Sequence, residues 1–529
     1  MKINYLITNS DSYNLIKNYF MKRDGATISI WQNNMPDYIS QTHTLPAEIY
    51  DVLIVGGGIT GISTGLLLQK AGKKCLIAEA KTIGFGTSGG TTAHLNTFMD
   101  SPYNEIEKNF GEDNAQLVFT SAKQAIDLIE KNIKEYNINC EFSEQPGYLF
   151  SQDKKQSKEL EDIFEASKKA GCDVVYSDSI PVSVEFNEAV IFRKQAQFHP
   201  AKYLYALAKA FEDAGGTLVQ GCRITGVNKN SPLEMESDRG KIIARSLIYA
   251  THVPPGVNLL QFYCAPYRSY AMAVTLKDNN YPDGLAYDMY DPYHYYRTQE
   301  IDGEKYLIAG GEDHKTAHKE NTEACFTKLE SYLHRYFDIA EISFKWSSQY
   351  FQSTDGLPYI GHLPGNPLNV FVATGYGGNG MTYSHVAAKV FTDIIVLGKS
   401  EYKKLYDPKR IKPVAGFTDI VKEAADVVGN LIGKWFPSSK IKELADLEHR
   451  EAKVVKYKSH SIALYKDENG NVHAVNPACT HIKCKVAWNN AEQSWDCPCH
   501  GSRFDAHGEM LTAPARKNLE KIDLREINE

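Results

Sequence analysis

Two short cysteine–histidine motifs constrain this 529-residue chain more than any other feature of its sequence. They are Cys479-x-His481 and Cys497-x-x-His500, with fifteen residues between them. Two thiolates and two imidazoles can hold either a [2Fe–2S] cluster or a tetrahedral zinc ion. Zinc sites usually pair cysteine with cysteine and histidine with histidine, whereas each motif here supplies one of each. We therefore predict that the motifs lie on two loops and hold a [2Fe–2S] cluster, which carries one electron at a time.

The segment around these motifs resembles a known family. Residues from about 448 to 529 are similar to the Rieske domain of the respiratory cytochrome bc-complex type. The resemblance rests on the two motifs and on further matching residues, which are Trp488, Asn489, the run W-D-C-P-C-H-G-S-R-F-D at 495–505, and Pro514-Ala515. In such a cluster Cys479 and Cys497 bind one iron, and His481 and His500 bind the other.

Two further cysteines and a phenylalanine refine this prediction. Cys484 and Cys499 occupy matched places beside the two motifs and could form a disulfide that ties the loops together. In the Rieske family these two cysteines are disulfide-bonded, and the serine that matches Ser502 hydrogen-bonds a bridging sulfide. Phe504 stands where high-potential members carry tyrosine. Because one hydroxyl donor to a ligand sulfur is missing, we expect a lowered, intermediate reduction potential.

Length, composition and charge indicate the class of protein. A chain of 529 residues is too long for one compact core, so we expect two or three domains. The 43% hydrophobic and 23% charged content is ordinary for a soluble globular protein, and the net charge of −7 argues against a nucleic-acid partner. No stretch approaches the ~18 apolar residues of a membrane span, and no secretory signal is evident. The other cysteines follow no pattern, which suits a cytoplasmic protein; they are Cys75, Cys140, Cys172, Cys222, Cys264 and Cys325.

A glycine motif near residue 56 predicts dinucleotide binding. Segment 50–58 reads Y-D-V-L-I-V-G-G-G, a short apolar strand that runs into glycines, and 56–61 spells G-x-G-x-x-G. A segment with helical spacing follows, and then a second strand that ends at Glu79. The glycines let the backbone approach a pyrophosphate, and the helix N-terminus supplies N–H donors. Glu79 can accept hydrogen bonds from ribose hydroxyls.

The chain downstream favours FAD over NAD. Residues 84–95 form a loop rich in Gly, Ser and Thr that suits more of the cofactor phosphate and the flavin. A second G-x-G-x-x-G at 375–380 lies between a strand and a helix, but no further strand with a terminal acid follows, so we do not assign it to NAD. A helix N-terminus there would stabilise the anionic reduced flavin. The predicted FAD contacts are Gly56, Gly58, Ile59, Thr60, Gly61, Glu79, Ala80, Thr87, Ser88, Thr91, Thr92, Gly375, Gly377, Gly378, Asn379, Gly380, Met381 and Thr382.

These motifs carry a second resemblance, which spans roughly residues 45–400. Together with Q-F-H-P at 197–200 and T-D-G-L-P-Y-I-G at 354–361, they are similar to the D-amino-acid oxidase/glycine oxidase superfamily of FAD enzymes. The whole chain resembles bacterial FAD-dependent oxidoreductases with a C-terminal Rieske domain. The implied architecture is an α/β FAD-binding (Rossmann-like) domain with an α+β substrate domain, followed by a small all-β Rieske domain.

The resemblance also implies domain boundaries. Residues 401–447 carry an apolar stripe at helical spacing, so we expect a connecting amphipathic helix that docks on the flavin domain. The expected parts are an N-terminal extension at 1–44, an FAD-dependent oxidoreductase domain at 45–400 (flavin-binding parts at about 45–130, 190–255 and 345–400; substrate parts at about 131–189 and 256–344), the connecting helix at 401–447, and the Rieske domain at 448–529.

The segment 255–345 is rich in tyrosine, with nine between Tyr263 and Tyr296. Members of the superfamily often bind a substrate carboxylate through a guanidinium on a strand facing the flavin, so the resemblance makes Arg297 a candidate substrate contact. Tyr270 and Tyr295 are further candidates, because tyrosine can cage an amine or bond a carboxylate. The alternative is that these tyrosines only pack a sheet face.

Three histidines raise alternatives that we do not favour. His94 lies near where some relatives link a histidine covalently to the flavin, but we expect a noncovalent loop histidine. His314 and His318 have helical metal-ligand spacing beside two acids, but no further ligand cluster accompanies them, so we expect a solvated turn. We therefore do not predict the mononuclear iron of Rieske oxygenases.

The two halves together predict an enzyme. We expect an FAD-dependent dehydrogenase that oxidises an amine or amino acid, or less readily a hydroxy acid, by hydride transfer to FAD. Single electrons would then pass through the Rieske cluster to an external acceptor, which the sequence does not identify. Two alternatives stay open. One is an oxidase that uses oxygen and has a structural cluster, and the other is a non-catalytic redox-sensing or electron-transfer module.

Overall fold

The computed structural model describes residues 23–410, 447–457 and 460–524. Most of the predicted connecting helix, 411–446, lies outside the described residues. The helices are α1 Ile59–Lys70, α2 Thr87–Gly90, α3 Tyr103–Phe110, α4 Glu112–Glu135, α5 Lys154–Ala170, α6 Pro200–Asp213, α7 Glu323–Tyr336 and α8 Gly380–Thr392, with 3₁₀ turns at Ile30–Gln32 and Leu259–Phe262 and a π-helical turn at Asp393–Leu397.

The strands fall into four sheets. They are β1 Ile49–Val55, β2 Cys75–Ala78, β3 His94–Leu95, β4 Ser143–Ser151, β5 Val174–Ser177, β6 Glu188–Gln197, β7 Thr217–Val219, β8 Ile224–Asn228, β9 Leu233–Ser237, β10 Gly240–Tyr249, β11 Cys264–Leu276, β12 Leu285–Asp288, β13 Tyr295–Ile301, β14 Glu304–Lys315, β15 Ile339–Ser353, β16 Tyr359–His362, β17 Val370–Thr374, β18 Ala452–Tyr457, β19 His460–Lys466, β20 Val472–Val475, β21 Ala487–Asn489, β22 Ser494–Asp496, β23 Arg503–Asp505 and β24 Met510–Thr512.

The first sheet is open and mainly parallel. Its strands lie in the order β16-β17-β10-β1-β2-β7, and β9 extends it from β10 and pairs with β8. Strand β1 pairs in parallel with both β2 and β10, so Leu53 lies beside Leu76 and Leu247. Val52 and Ile54 pack with the helices on one face, while Leu53 packs in a separate cluster on the other. Because both faces are covered, β1 is almost continuously apolar.

The second sheet is larger and mainly antiparallel. Its order is β15-β11-β14-β13-β12-β4-β6-β3, with β5 beside β6. Strands β11 and β15 pair along most of their length, from Cys264 opposite Ser353 to Leu276 opposite Ile339. Strands β6 and β15 belong to this sheet, although the expected boundaries give residues 190–197 and 345–353 to the flavin-binding parts. The boundaries themselves stay a prediction.

The C-terminal part is built from strands alone. Strands β18-β19-β20 form one antiparallel sheet, and β21-β22-β23-β24 form another. The predicted fold class, an α/β flavin domain with an α+β partner and an all-β C-terminal domain, is confirmed. Among the described helices, none has the length and apolar character that a bilayer crossing requires.

Buried charges join the C-terminal part to the rest of the molecule. Arg268 on β11 lies 3.8 Å from Glu492 and 3.6 Å from Asp496. Arg503 on β23 lies 3.0 Å from Asp24 of the N-terminal extension. These five residues are at most 2% exposed. Buried ions of opposite sign require specific partners, so this network fixes how the C-terminal part sits on the second sheet.

Candidate flavin and iron–sulfur sites

A glycine turn at the carboxyl end of β1 forms the first part of the flavin site. Gly56 has a φ of +112°, and a Cβ atom on Gly61 would lie 1.9 Å from the carbonyl oxygen of Gly56. Since only glycine fits these two positions, β1 can turn directly into α1. Ile59 and Thr60 at the start of α1 line a cavity in front of the turn. A helix N-terminus at such a place favours a phosphate group.

The cavity has a volume of about 630 Å³ and reaches from the glycine turn to tyrosines of the second sheet. One wall comes from the C-terminal part, through Met510, Leu511, Thr512, Ala513, Ala515 and Arg516. The predicted FAD contacts that line the cavity are Gly56, Gly58, Ile59, Thr60, Glu79, Ala80, Thr87, Ser88, Thr91, Thr92, Gly377, Gly378, Asn379, Gly380 and Met381.

Three predicted FAD contacts lie behind the residues that line the cavity and do not line it themselves. Gly61 lies against the turn itself. Gly375 has a φ of +75° and lies so close to Cys264 that a Cβ atom would be 3.1 Å from its Sγ. Thr382 is buried, and its hydroxyl donates to the carbonyl oxygen of Asn96 at 3.2 Å.

The strand-end acid and two cations lie together at the glycine-turn end. The carboxylate of Glu79 accepts the N–H of Gly57 at 2.6 Å and that of Lys81 at 2.8 Å. Burial raises the pKa of Glu79, while the two N–H groups and the charges of Arg223 and Lys81 lower it. Burial in turn lowers the pKa values of Lys81 and Arg223. The glycine turn, the acid and the cations fit the pyrophosphate and ribose of FAD.

The opposite end of the cavity is lined by aromatic hydroxyls, those of Tyr287, Tyr293, Tyr295 and Tyr350. A chain of hydrogen bonds runs behind them. The hydroxyl of Tyr295 lies 3.0 Å from Oγ of Ser269, which donates to the carboxylate of Asp313 at 2.5 Å. The hydroxyl of Tyr350 donates to the other oxygen of Asp313 at 2.8 Å.

Two carboxylates set the charge of this tyrosine end. Removal from bulk water raises the pKa of Asp313 to about 7 and that of Asp100 to about 6. Asp100 accepts the N–H of Gly378 at 2.5 Å. One of the backbone N–H groups that precede α8 is therefore already bonded to a protein carboxylate. Within the described residues that line the cavity, the lysines and arginines are Lys81, Arg223 and Arg516.

Arg297 does not contact the cavity, which corrects its prediction as a substrate ligand. Its side chain is fully buried, and NH1 donates to the carbonyl oxygens of Thr92 at 2.8 Å and Ala93 at 3.0 Å. NH2 donates to Gln299 on the same strand. Burial lowers the pKa of Arg297 to about 9. The guanidinium therefore holds residues 84–95, the flavin loop, from the side away from the cavity.

Tyr270 is also turned away from the cavity, against the prediction. It is fully buried, and its hydroxyl lies 2.9 Å from Nε2 of His314. His314 is itself 9% exposed and lies within β14, so the expected solvated turn is wrong for this residue. His318 follows the strand, with Nδ1 2.9 Å from the carbonyl oxygen of Thr316. Of the three predicted substrate contacts, Tyr295 alone lines the cavity.

His94 lines the cavity beside the tyrosines. Its Nδ1 lies 3.0 Å from the hydroxyl of Tyr287, and its buried Nε2 has no hydrogen-bond partner in the described part of the chain. Burial and the charge of Arg297 hold the pKa of His94 well below its usual value, so the ring is neutral. Noncovalent FAD binding beside this ring stays a prediction.

The predicted cluster ligands come together in the C-terminal part. Cys479 and Cys497 are buried and share a hydrogen bond, which lowers the pKa of the Cys479 thiol. The rings of His481 and His500 lie 5.0 Å apart, centre to centre. Both nitrogens of His500 are buried and lack a hydrogen-bond partner among the residues described. Burial lowers the pKa of His500 to about 3 and that of His481 to about 4, so both rings are neutral donors that fit a [2Fe–2S] cluster.

The expected disulfide borders this ligand set. Cys484 and Cys499 are bonded, which confirms the pairing, and both sulfurs lie within 4.8 Å of that of Cys497. The hydroxyl of Ser502 accepts the N–H of Ala515 at 3.0 Å and also bonds Cys479. Phe504 is fully buried in the same apolar cluster as these cysteines.

One side chain links the flavin cavity to the cluster motif. Gln349 on β15 lines the cavity, and its Nε2 donates to the carbonyl oxygen of Gly501 at 2.9 Å. Gly501 directly follows His500. The Oε1 atom of Gln349 accepts from Thr316 at 3.1 Å, and its backbone carbonyl accepts from Thr87 at 2.9 Å. Gln349 thus touches the flavin loop and the cluster motif at once.

Sequence reasoning missed four residues of this region, namely Ser269, Asp313, Gln349 and Tyr350. Asp313 carried a usable signal, since it stands with Glu312 at the end of the apolar strand segment Y-L-I-A-G-G, where a charge must find polar partners. Tyr350 and Gln349 carried none, because their role depends on how β15 lies between the two cofactor sites.

Comparison with known proteins identifies both halves. Residues 51–394 match the family described as FAD dependent oxidoreductase, and residues 434–523 match the Rieske [2Fe-2S] domain. YhfW of Bacillus subtilis (strain 168), named as a Rieske 2Fe-2S iron-sulfur protein, is 32% identical over 90% of this chain and 93% of its own length. Gamma-glutamylputrescine oxidoreductase of Escherichia coli (strain K12) is 24% identical over 65% of this chain and 83% of its own length.

Solved structures agree on the fold. The structure of glycine oxidase from Geobacillus kaustophilus superposes with a TM-score of 0.56 at 18% identity, covering 69% of this chain and 100% of that one. L-Amino acid deaminase from Proteus myxofaciens superposes with a TM-score of 0.57 at 16% identity, covering 74% and 100%. The chain therefore belongs to the FAD-dependent oxidoreductase family and carries a C-terminal Rieske [2Fe–2S] domain.

Proposed function

We propose that this chain is a dehydrogenase that oxidises an amine or amino acid with FAD and delivers the electrons through its Rieske cluster to an external acceptor. When bound, FAD would accept a hydride from the substrate, and the cluster would transfer single electrons. The observation that carries the proposal is a single cavity lined by the FAD-contact residues and also by the Rieske part, through residues 510–516.

Close packing at the cluster motif supports electron exit from the flavin site. Gly501 has a φ of +70°, and a Cβ atom there would lie 2.7 Å from Pro266 and 3.1 Å from Phe351. His500 is 2% exposed, and its ring centre lies 5.5 Å from that of Phe262, which belongs to the flavin-dependent part of the chain. A cluster that served only to stabilise its own domain would not need a histidine ligand turned toward the flavin domain. This favours the dehydrogenase over an oxidase with a structural cluster.

The chemistry of the cavity and of the relatives supports the substrate class. Relatives and structural neighbours are named for amino acids and for a polyamine derivative, which are all amines. The tyrosine end offers hydroxyls and carboxylates to such a group. We further propose that the protein acts in the cytoplasm and that its electron acceptor is a protein, a quinone or another external molecule. Nucleic acid is not proposed as a partner, since the net charge is −7.

Anaerobic rapid mixing with a panel of amines and amino acids tests the proposal. We expect loss of the oxidised-flavin absorbance, followed by the electron paramagnetic resonance signal of the reduced cluster. A Cys479→Ser variant, which lacks a cluster ligand, is the control: its flavin is reduced, but no cluster signal follows. A wild-type cluster that stays oxidised while the flavin is reduced would refute the electron route. A flavin that no member of the panel reduces would favour the non-catalytic redox module.

A further inference from the structure

The cavity separates charge between its two ends. Lys81 and Arg223 accompany Glu79 at the glycine-turn end. Arg516, the third cation among the described lining residues, belongs to the Rieske wall and donates to the carbonyl oxygen of Pro255 at 3.0 Å. The charges that act on Tyr293, Tyr295 and Tyr350 include those of Asp313 and Asp100 and, among the described residues, no lysine or arginine. Arg297 acts on His94 and Tyr287 only from behind the flavin loop, with NH1 bound to backbone carbonyls. A substrate carboxylate would therefore meet no guanidinium fork at the tyrosine end.

At the tyrosine end, the direction of the hydrogen bonds leaves phenol oxygens available to accept a hydrogen bond from a ligand. Above its pKa of about 7, Asp313 is an ionised carboxylate that can only accept, so Ser269 and Tyr350 then both donate their hydroxyl hydrogens to it. With its hydrogen committed, Ser269 accepts from Tyr295. Thr92 adds one more hydrogen bond to Tyr295. The phenol oxygen of Tyr350, and in part that of Tyr295, is left to accept from a ligand in the cavity.

No lysine or arginine in the described part of the chain forms an ion pair with Asp313. Removal from bulk water is the largest influence on its pKa and raises it to about 7, and the charge of Asp100 raises it as well. The hydrogen bonds from Ser269 and Tyr350 lower this pKa, and His294 lowers it less. A carboxylate held in this way favours a ligand that brings its own positive charge.

We propose that the tyrosine end binds the ammonium group of the substrate, with Tyr350 and Tyr295 as acceptors and Asp313 as the neutralising charge. This assignment rests on the proposed FAD-dependent oxidation and narrows its substrate to amines that need no carboxylate, such as alkylamines and diamines. The surrounding tyrosine rings add cation–π attraction. Asp313 and Tyr350 are then the residues that determine specificity for amines.

The test measures binding without turnover. The probes are tert-butylamine, which has no hydrogen on its α-carbon to transfer as hydride, and pivalate, which has the same shape with a carboxylate. Each is titrated into the full-length, FAD-loaded protein while the flavin absorbance spectrum is followed. We expect saturable perturbation by tert-butylamine and none by pivalate. In Asp313→Asn, which keeps the size of the side chain but loses its charge, tert-butylamine binds at least about tenfold more weakly.

Two further variants make the result decisive. Tyr350→Phe removes the acceptor oxygen and keeps the ring, so it also weakens tert-butylamine binding and replaces Asp313→Asn if that variant loses FAD. Asp338→Asn removes an exposed carboxylate that pairs with Lys277, and binding stays unchanged. The assignment is overturned if pivalate binds as well as tert-butylamine, if tert-butylamine does not bind, or if it binds unchanged in both site variants. Neither probe is oxidised in this titration. A failure of the ammonium assignment can therefore be told apart from a failure of electron transfer from the flavin to the cluster.

Discussion

Phe504 is a single residue whose exchange reports directly on the cluster. It is fully buried in the apolar cluster that contains Cys479 and Cys497. Phe504→Tyr would add a hydroxyl donor beside a ligand sulfur and stabilise the reduced, more negative cluster. One hydrogen bond of about 1 kcal/mol corresponds to about 40 mV for a one-electron couple, so the midpoint potential should rise by roughly that amount. A redox titration followed by electron paramagnetic resonance measures it. Phe504→Leu, which adds no donor, should leave the potential near that of the wild type.

Residues whose role depends on near neighbours in sequence are predictable, and others are not. Cys479 and His481 can be assigned because the spacing of ligands is a local property. Arg297 cannot, because its partners Thr92 and Ala93 lie about two hundred residues earlier. Tyr295 and Tyr270 belong to the same tyrosine-rich segment, so the sequence does not distinguish them, yet they face opposite sides of the second sheet. Which side borders a cavity is decided by packing across that sheet.

At the scale of elements, strand β15 connects the two cofactor sites. Gln349 on this strand donates to Gly501 of the Rieske part. Gln349→Leu keeps the approximate size of the side chain and removes this donor from the carbonyl of Gly501, which still accepts from Thr512 at 3.4 Å. The docked arrangement should therefore lose about 1 kcal/mol. We expect slower cluster reduction by the flavin, while flavin reduction by substrate keeps its rate. Rapid mixing resolves both rates.

A matched exchange shows whether the effect belongs to β15. Gln145 on β4 is half-buried, and within the described residues its side chain bonds to the nearby Ser143, so Gln145→Leu should leave both rates unchanged. Equal slowing of flavin reduction and cluster reduction in Gln349→Leu would indicate a general loss of the flavin site and count against a bridging role.

Elements formed from contiguous chain are also the predictable ones. Strand β1, the glycine turn, α1 and β2 form one βαβ unit, and its hydrophobic runs and glycines identify it directly. The second sheet draws strands from residues 94 to 353. Its membership therefore depends on pairing between distant segments, which is why β6 and β15 fall across the expected boundaries.

For the whole molecule, the buried ionic network should control how firmly the Rieske part is held. Arg268 lies between Glu492 and Asp496 in complete burial. Arg268→Met removes the cation and leaves both carboxylates undercompensated, which should destabilise the docked form by about 3–5 kcal/mol. Denaturant unfolding, followed by the visible absorbance of the cluster, measures this.

The control for this exchange is an exposed pair. Lys277 lies 2.8 Å from Asp338 with both side chains more than half exposed. Lys277→Met should change the unfolding free energy by less than about 1 kcal/mol. An Arg268→Met protein as stable as this control would show that the network does not hold the domains together.

The wall that residues 510–516 contribute to the flavin cavity has a consequence for how the protein matures. The ribosome makes this wall after it has made the glycine turn and both central sheets, so the nascent flavin site is open on one side. FAD can enter while that side is open, and docking of the Rieske part then encloses it. We therefore expect the retention of FAD to depend on docking of the Rieske part.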